Sequence, residues 1–292
     1  MFCSLLSSRS YYRFEDRLKI TLRYQDIYEK SLKSLIKSEV GGDFGTVMKY
    51  LSLNPVEAEC QMLKDGCKGI GSHKRVLYSI LCGRSNKDMT LMKKTYYKAH
   101  TKDLVGLIAS ESGGDLAKMF LACFQAAEEE FDPDFHTLDK AKDDAQELYD
   151  AGQGMWGTNE KALFKVIVLA PPKYLRMVND AYANKFGYTL AKAMEKELSG
   201  YAQEASSFVV NMRLKPYEAI AKVIKLACAG IGTDELLLTT CVIRYQDIMG
   251  QVNFAHEEMY GKSVHDRVRS ECSGYYKDVL LALLNKVCPE DC

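Results

Sequence analysis

The sequence predicts an all-α protein built from repeated helical units. Three observations predict it: apolar residues recur at helical spacing along the chain, one short glycine-containing phrase comes back four times, and no segment alternates with period two as a strand would. Hydrophobic residues make up 47% of the 292 and charged residues 27%, a balance with ample apolar surface for a core. Only 6 prolines against 20 glycines favours helices joined by short loops. Thirty-nine basic residues balance 39 acidic ones. A protein that neutralises many phosphates with its own side chains carries a basic excess, so no nucleic-acid partner is expected. An anionic partner would need positive charge from elsewhere.

The recurring phrase is a glutamate, two residues, a glycine and then an amphipathic helix. It reads EVGGDF from Glu39, ESGGDL from Glu111, ELSGYA from Glu197 and ECSGYY from Glu271, at spacings of 72, 86 and 74 residues. An apolar stripe follows each copy: Phe44, Val47, Met48 and Leu51; Leu116, Met119, Phe120 and Cys123; Ala205, Phe208, Val209 and Met212; Tyr276, Val279, Leu280 and Leu283. A second phrase precedes three of the acids: CKGIGS at Gly69 and Gly71, GQGMWGTNE at Gly157, and CAGIGTDE at Gly230 and Gly232. Its glycines stop one helix, and Ser72 or Thr233-Asp234 caps the next. From the last glycine to the acid the separation is 40, 40 and 39 residues. A full unit therefore reads helix, glycine turn, helix, connector, two helices, acid turn, helix. The polar stretch 128–144 reads as a solvated linker, and the first unit lacks its opening helix and glycine turn, which predicts exposed apolar surface near residues 1–50.

The two phrases suggest a chemistry. Glycines let backbone carbonyls point into one small concavity, and a remote carboxylate completes a set of hard oxygen donors. That set suits Ca²⁺, which accepts six to eight oxygens at flexible geometry, and not zinc, which prefers nitrogen and sulfur. One carboxylate per site places the intrinsic affinity at about 10⁻⁴–10⁻³ M. The unfilled positions leave room for an external phosphate, so the cation would supply the attraction that a chain of zero net charge lacks.

The phrases CKGIGS, MWGTNE and CAGIGTDE, each with its glutamate near 40 residues on, resemble the annexin family over almost the whole chain. The resemblance implies a curved disc of four five-helix repeats: a partial first repeat over 1–53, a second over 54–126, a linker and third over 127–213, and a fourth over 214–292. It implies Ca²⁺-dependent, reversible binding to acidic phospholipids such as phosphatidylserine, from the cytoplasm, on the cytosolic face of plasma or vesicle membranes. Lateral self-association on the membrane and cytoskeletal or other protein partners come with the same resemblance. Carried over position by position, it assigns the carbonyls of Cys67, Gly69 and Gly71 with Glu111, of Gly152, Met155 and Gly157 with Glu197, and of Cys228, Gly230 and Gly232 with Glu271. Repeat one keeps Glu39 without a turn to pair with it, so no site is expected there. Ile70, Trp156 and Ile231 are the apolar tips expected at the headgroup boundary. This sequence departs from its own pattern in two places: His73-Lys74 stands where repeat four has Asp234-Glu235, and Ala170-Pro171 stands where the other repeats carry Arg84 and Arg244.

No enzyme is expected. His73, His100, His136, His256 and His265 show no metal or triad spacing, and no nucleotide-binding loop occurs. The competing reading is a cytoskeletal or scaffold protein on the same helical fold with little calcium dependence. MFCSLLSSRS has no apolar stretch fit for a signal peptide, and no run of 18 apolar residues could span a bilayer. Cysteines such as Cys123 and Cys228, at apolar helix positions, therefore read as buried reduced thiols of a cytosolic protein.

Overall fold

The structure is a computed structural model that describes residues 10–69, 73–125, 129–153, 160–230 and 232–285. Among them are helices and no strands. Three helices come first: α1 (Ser10–Tyr28), α2 (Leu32–Glu39) and α3 (Gly42–Leu51). Three sets of five follow. The first is α4 (Pro55–Gly66), α5 (Lys74–Leu81), α6 (Asn86–His100), α7 (Leu104–Glu111) and α8 (Gly114–Gln125). The second is α9 (Leu138–Gln153), α10 (Glu160–Leu169), α11 (Pro172–Phe186), α12 (Leu190–Glu197) and α13 (Gly200–Leu214). The third is α14 (Pro216–Ala227), α15 (Glu235–Arg244), α16 (Met249–Tyr260), α17 (Val264–Glu271) and α18 (Gly274–Asn285), with a 3-10 turn at Gln246–Ile248.

Two compact units form. One joins the residues up to Val76 with those from Ile220 onward; the other runs from Leu77 to Ala219. In the first, α3 packs on α4, α15 and α18. The apolar stripes meet there, with Val47, Cys60, Met62, Leu63, Leu237, Cys241 and Leu280 fully buried, the aliphatic and methionine side chains among them contributing about 1.5–3 kcal/mol each on removal from water. Arg244 at the end of α15 pairs with Glu59 of α4, both nearly buried. In the second unit α9 lies along α11, α12 along α13, and α8 against α10 and α13, around Met119, Phe120, Phe164, Ile167, Leu175 and Val178.

The structure refines the sequence reading in the stretch 128–144. Residues 138–144 form the first two turns of α9, and the described segment before it, 129–137, is mostly exposed, as its polar composition implies, but is pinned at one buried side chain. His136 is buried between Phe131, whose ring stacks at 5.5 Å, and Tyr174, whose ring lies at 4.5 Å. Acidic composition concealed an aromatic cluster with a single buried histidine. Repeat three also solves its missing arginine from another helix. Arg213 of α13 donates to the carbonyls of Val168 and Ala170 at 2.5 Å each, closing α10 where Arg84 closes α5 by donating to Ile80.

Among the described residues seven cysteines are free thiols, and all of these but Cys67 are buried. Leu18, Ile20, Leu22, Ile27 and Tyr28 of α1 are exposed, in keeping with the apolar surface expected near the start of the chain.

Candidate functional site

Each acid closes an eight-residue helix. α2, α7, α12 and α17 begin after Ser31, Asp103, Thr189 and Ser263, whose side-chain oxygens accept the N–H of the third helical residue. They end on Glu39, Glu111, Glu197 and Glu271. The chain then turns, and the glycine three residues on has φ of 62°, 57°, 57° and 56° at Gly42, Gly114, Gly200 and Gly274. Nothing lies within 4 Å of the position a Cβ would take at any of them. The left-handed backbone, not lack of space, is what calls for glycine.

A carboxylate in the last helical turn faces the negative end of the helix dipole, a placement unfavourable by about 0.3–1 kcal/mol. Four helices share it, and a cation held there would relieve it.

The glycine turns add more negative ends. After α14 the chain passes through Gly230 (φ 97°) and Gly232 (φ 89°) and is closed by the Asp234 N–H donating to the Ala227 carbonyl at 2.7 Å. After α4 it passes through Gly69 (φ 90°) and is closed by the His73 N–H donating to the Gly66 carbonyl at 2.8 Å. The same bond spans the same seven residues in both loops. Asp234, not Thr233, caps α15, accepting from the Leu237 N–H at 3.0 Å. The Thr233 hydroxyl instead donates to the Glu271 carbonyl at 3.3 Å, which lays the loop of repeat four against the end of α17. The proximity registers at Cys228: burial first, and then the Glu271 charge, push its thiol up to about 11.

In repeat three the acid lies against the end of α9. A Cβ on Gly152 would stand 3.2 Å from both Cγ and Cδ of Glu197 and 3.5 Å from its Oε2. Gly152 thus makes room for the carboxylate at the carbonyl-rich end of a helix.

Cys67 and Gly69 belong to the first compact unit and Glu111 to the second. Cys67 is the C-terminal cap of α4 and Glu111 the last residue of α7. Ile70, Gly71, Met155, Trp156, Gly157 and Ile231 lie outside the described residues. Repeat one reproduces the acid helix and the turn after it, with Glu39 accepting from Ser38 at 3.3 Å. Within the described residues no glycine turn of the Gly69 kind precedes it.

The groups found at these helix ends, backbone carbonyls and a carboxylate, are oxygen donors, a chemistry that fits Ca²⁺. Among the described residues no group of three or more His, Cys, Asp or Glu side chains gathers around a common point. His256 lies beside Arg267 at 3.1 Å and His73 beside Asp234 at 3.4 Å.

A sequence model described as Annexin matches residues 58–123, 143–206 and 219–283. The chain belongs to the annexin family. Mouse (Mus musculus) annexin A13 is 32% identical over 96% of this chain and 87% of its own length. The solved structure of annexin III shares 29% identity and superposes with a TM-score of 0.85, covering 96% of this chain and 87% of that one. A structure described as calcium-bound annexin (Sm)1 has 25% identity and a TM-score of 0.78, covering 94% and 82%. The all-helical repeat fold is that of these annexins, and the family and fold support calcium-dependent phospholipid binding in general.

Sequence reasoning missed the residues that set the register of the annexin acids. Ser31, Asp103, Thr189 and Ser263 each stand eight residues before their glutamate. The signal was present as a capping residue at constant distance from the acid.

Proposed function

We propose that this protein binds acidic phospholipid membranes peripherally and reversibly, with Ca²⁺ held by the carbonyls of Cys67, Gly69 and Gly71 with Glu111, of Gly152, Met155 and Gly157 with Glu197, and of Cys228, Gly230 and Gly232 with Glu271. The observation that supports the reading is the approach of helix C-termini to the acid-bearing helix ends: the loop after α14 is tied to the Glu271 main-chain carbonyl through Thr233, and the end of α9 at Gly152 lies against the Glu197 side chain. When bound, the cation supplies a positive charge that also attracts a lipid phosphate. The protein's own part is to fix the loop by the Asp234–Ala227 bond, to hold the acid at the end of a capped helix, and to keep the outward positions open. Ile70, Trp156 and Ile231, between or beside the loop glycines, are the apolar contacts to the headgroup region. The role is one of binding, not catalysis, and the balanced charge of 39 against 39 makes attachment depend on the metal. Binding from the cytoplasm to the cytosolic face of a plasma or vesicle membrane follows from the same reading.

Cosedimentation with phosphatidylserine vesicles, with calcium or with a chelator, tests it. Glu197→Gln should raise the calcium needed for half-maximal binding about tenfold or more, as loss of the single carboxylate at a site implies, while Glu39→Gln should leave it unchanged. Equal effects of the two substitutions, or pelleting that ignores the chelator, would overturn the assignment.

A further inference from the structure

The acid turn of repeat four carries an aromatic pair that the calcium chemistry does not use. Tyr275 stands four residues after Glu271, at the start of α18, and is 77% exposed. It is more exposed than any other large hydrophobic side chain among the described residues. One side of its ring meets Phe44, at the start of α3, with centroids 5.8 Å apart and planes tilted by 42°. Phe44 is half-buried and follows the acid turn of repeat one, so the acid turns of repeats one and four meet at this pair. The next residue behaves in the opposite way. Tyr276 is buried, its hydroxyl donating to the Glu235 carbonyl at 3.1 Å. The core therefore takes Tyr276 and leaves Tyr275 outside. Repeat three has the same register: Tyr201, four residues after Glu197, is 44% exposed. Repeats one and two carry Asp43 and Asp115 there.

A tyrosine held out in water by an aromatic support, on the same turn as a carboxylate proposed to hold a lipid-bridging cation, has the character of an interfacial side chain. Its ring is apolar and its hydroxyl is content at a wet boundary. Phe44 limits the rotamers of the ring, which lowers the ordering cost of inserting it. We propose that Tyr275, supported by Phe44, is a membrane anchor that enters the headgroup boundary beside the Glu271 site. The inference rests on the calcium-dependent membrane binding proposed above and adds to it a contact outside the glycine loops. The occupant is a lipid surface, because the pair adjoins a carbonyl- and carboxylate-rich helix end that favours a cation and, through it, phosphate.

The test uses the full chain on phosphatidylserine vesicles containing lipids brominated near the headgroup. Tyr275→Trp should add, relative to the parent chain, a blue-shifted emission component that bromine quenches in calcium and that the chelator restores. Tyr275→Ala should raise the vesicle concentration for half-binding roughly fivefold, and Tyr275→Phe should stay within about twofold, as expected for loss or retention of buried ring area. Thermal melting reports whether each variant is folded. Calcium-dependent pelleting of Tyr275→Trp without added quenching overturns the anchor and leaves the calcium reading standing. Absence of calcium-dependent pelleting in the parent chain overturns both.

Discussion

Gly152 shows how a single missing methyl bears on a site. It lies inside α9, where alanine is favoured over glycine by about 0.5–1 kcal/mol, yet a Cβ there would stand 3.2 Å from the Glu197 side chain. Gly152→Ala should therefore leave the melting temperature unchanged or raise it, while raising the calcium needed for vesicle binding roughly threefold or more. Opposite signs in melting and in calcium titration are the expected outcome; a fall in melting temperature with unchanged calcium dependence would contradict it. His256 is a second residue whose surroundings dictate a measurable property. Burial first, joined by the Arg267 and Lys225 charges, holds its pKa below the ordinary value against the opposing pull of the Lys262 carbonyl. Its Nε2 accepts from Arg267 Nε at 3.1 Å, a bond the protonated ring cannot make. The unfolded chain takes up the proton first as pH falls, so this contribution to stability is whole above about pH 6.5 and is lost below it. The urea midpoint should drop between about pH 7.5 and 5.5, and drop less in His256→Gln. At this level the sequence was legible where chemistry repeats, as in the acids and glycines. It named the pair Thr233-Asp234 as the cap of the next helix, and neighbours decide between the two: Asp234 caps, and the Thr233 hydroxyl finds the Glu271 carbonyl.

The acid helices are the unit that makes the sites alike. An eight-residue helix is too short to be stable alone, and its register depends on its first turn and its packing. The caps at Ser31, Asp103, Thr189 and Ser263 fix where each begins, so each ends on its glutamate. Thr189→Ala should cost about 1 kcal/mol and should also weaken calcium-dependent binding, because the end of α12 loosens together with its start. Calcium titrations in which Thr189→Ala matches the parent would show that the cap serves stability alone. The repeat of five helices was readable from apolar periodicity and the spacing of two phrases. The buried contact before α9 was not, because Phe131, His136 and Tyr174 are brought together by folding rather than by sequence order. Nor could the pattern foresee that Arg213 would stand in for the arginine that repeat three lacks, since its partners lie 43 and 45 residues away.

The molecule as a whole joins a neutral chain to a set of oxygen-lined helix ends, and that combination gives the account its sharpest consequence. With 39 charges of each sign the protein has no net attraction of its own to an anionic bilayer, and among the described residues no helix is long and apolar enough to cross one. On the proposed reading attachment comes from the cation, and linkage then requires that the lipid tighten calcium by the same factor by which calcium tightens lipid. The family and the all-helical repeat fold were legible because duplicated phrases amplify a weak pattern. The division into two compact units, with the residues before Val76 joined to those after Ile220, was not, since it depends on contacts remote in sequence, such as Arg244 with Glu59. Calorimetric titration of calcium into the full chain, with and without phosphatidylserine vesicles, tests the central claim most directly. The expected result is weak binding alone, in the range of about 10⁻⁴–10⁻³ M, that tightens tenfold or more, on the order of 1.4 kcal/mol, when vesicles are present, with Glu271→Gln and Glu197→Gln each removing part of the heat. Calcium affinity that is the same with and without vesicles would contradict the account.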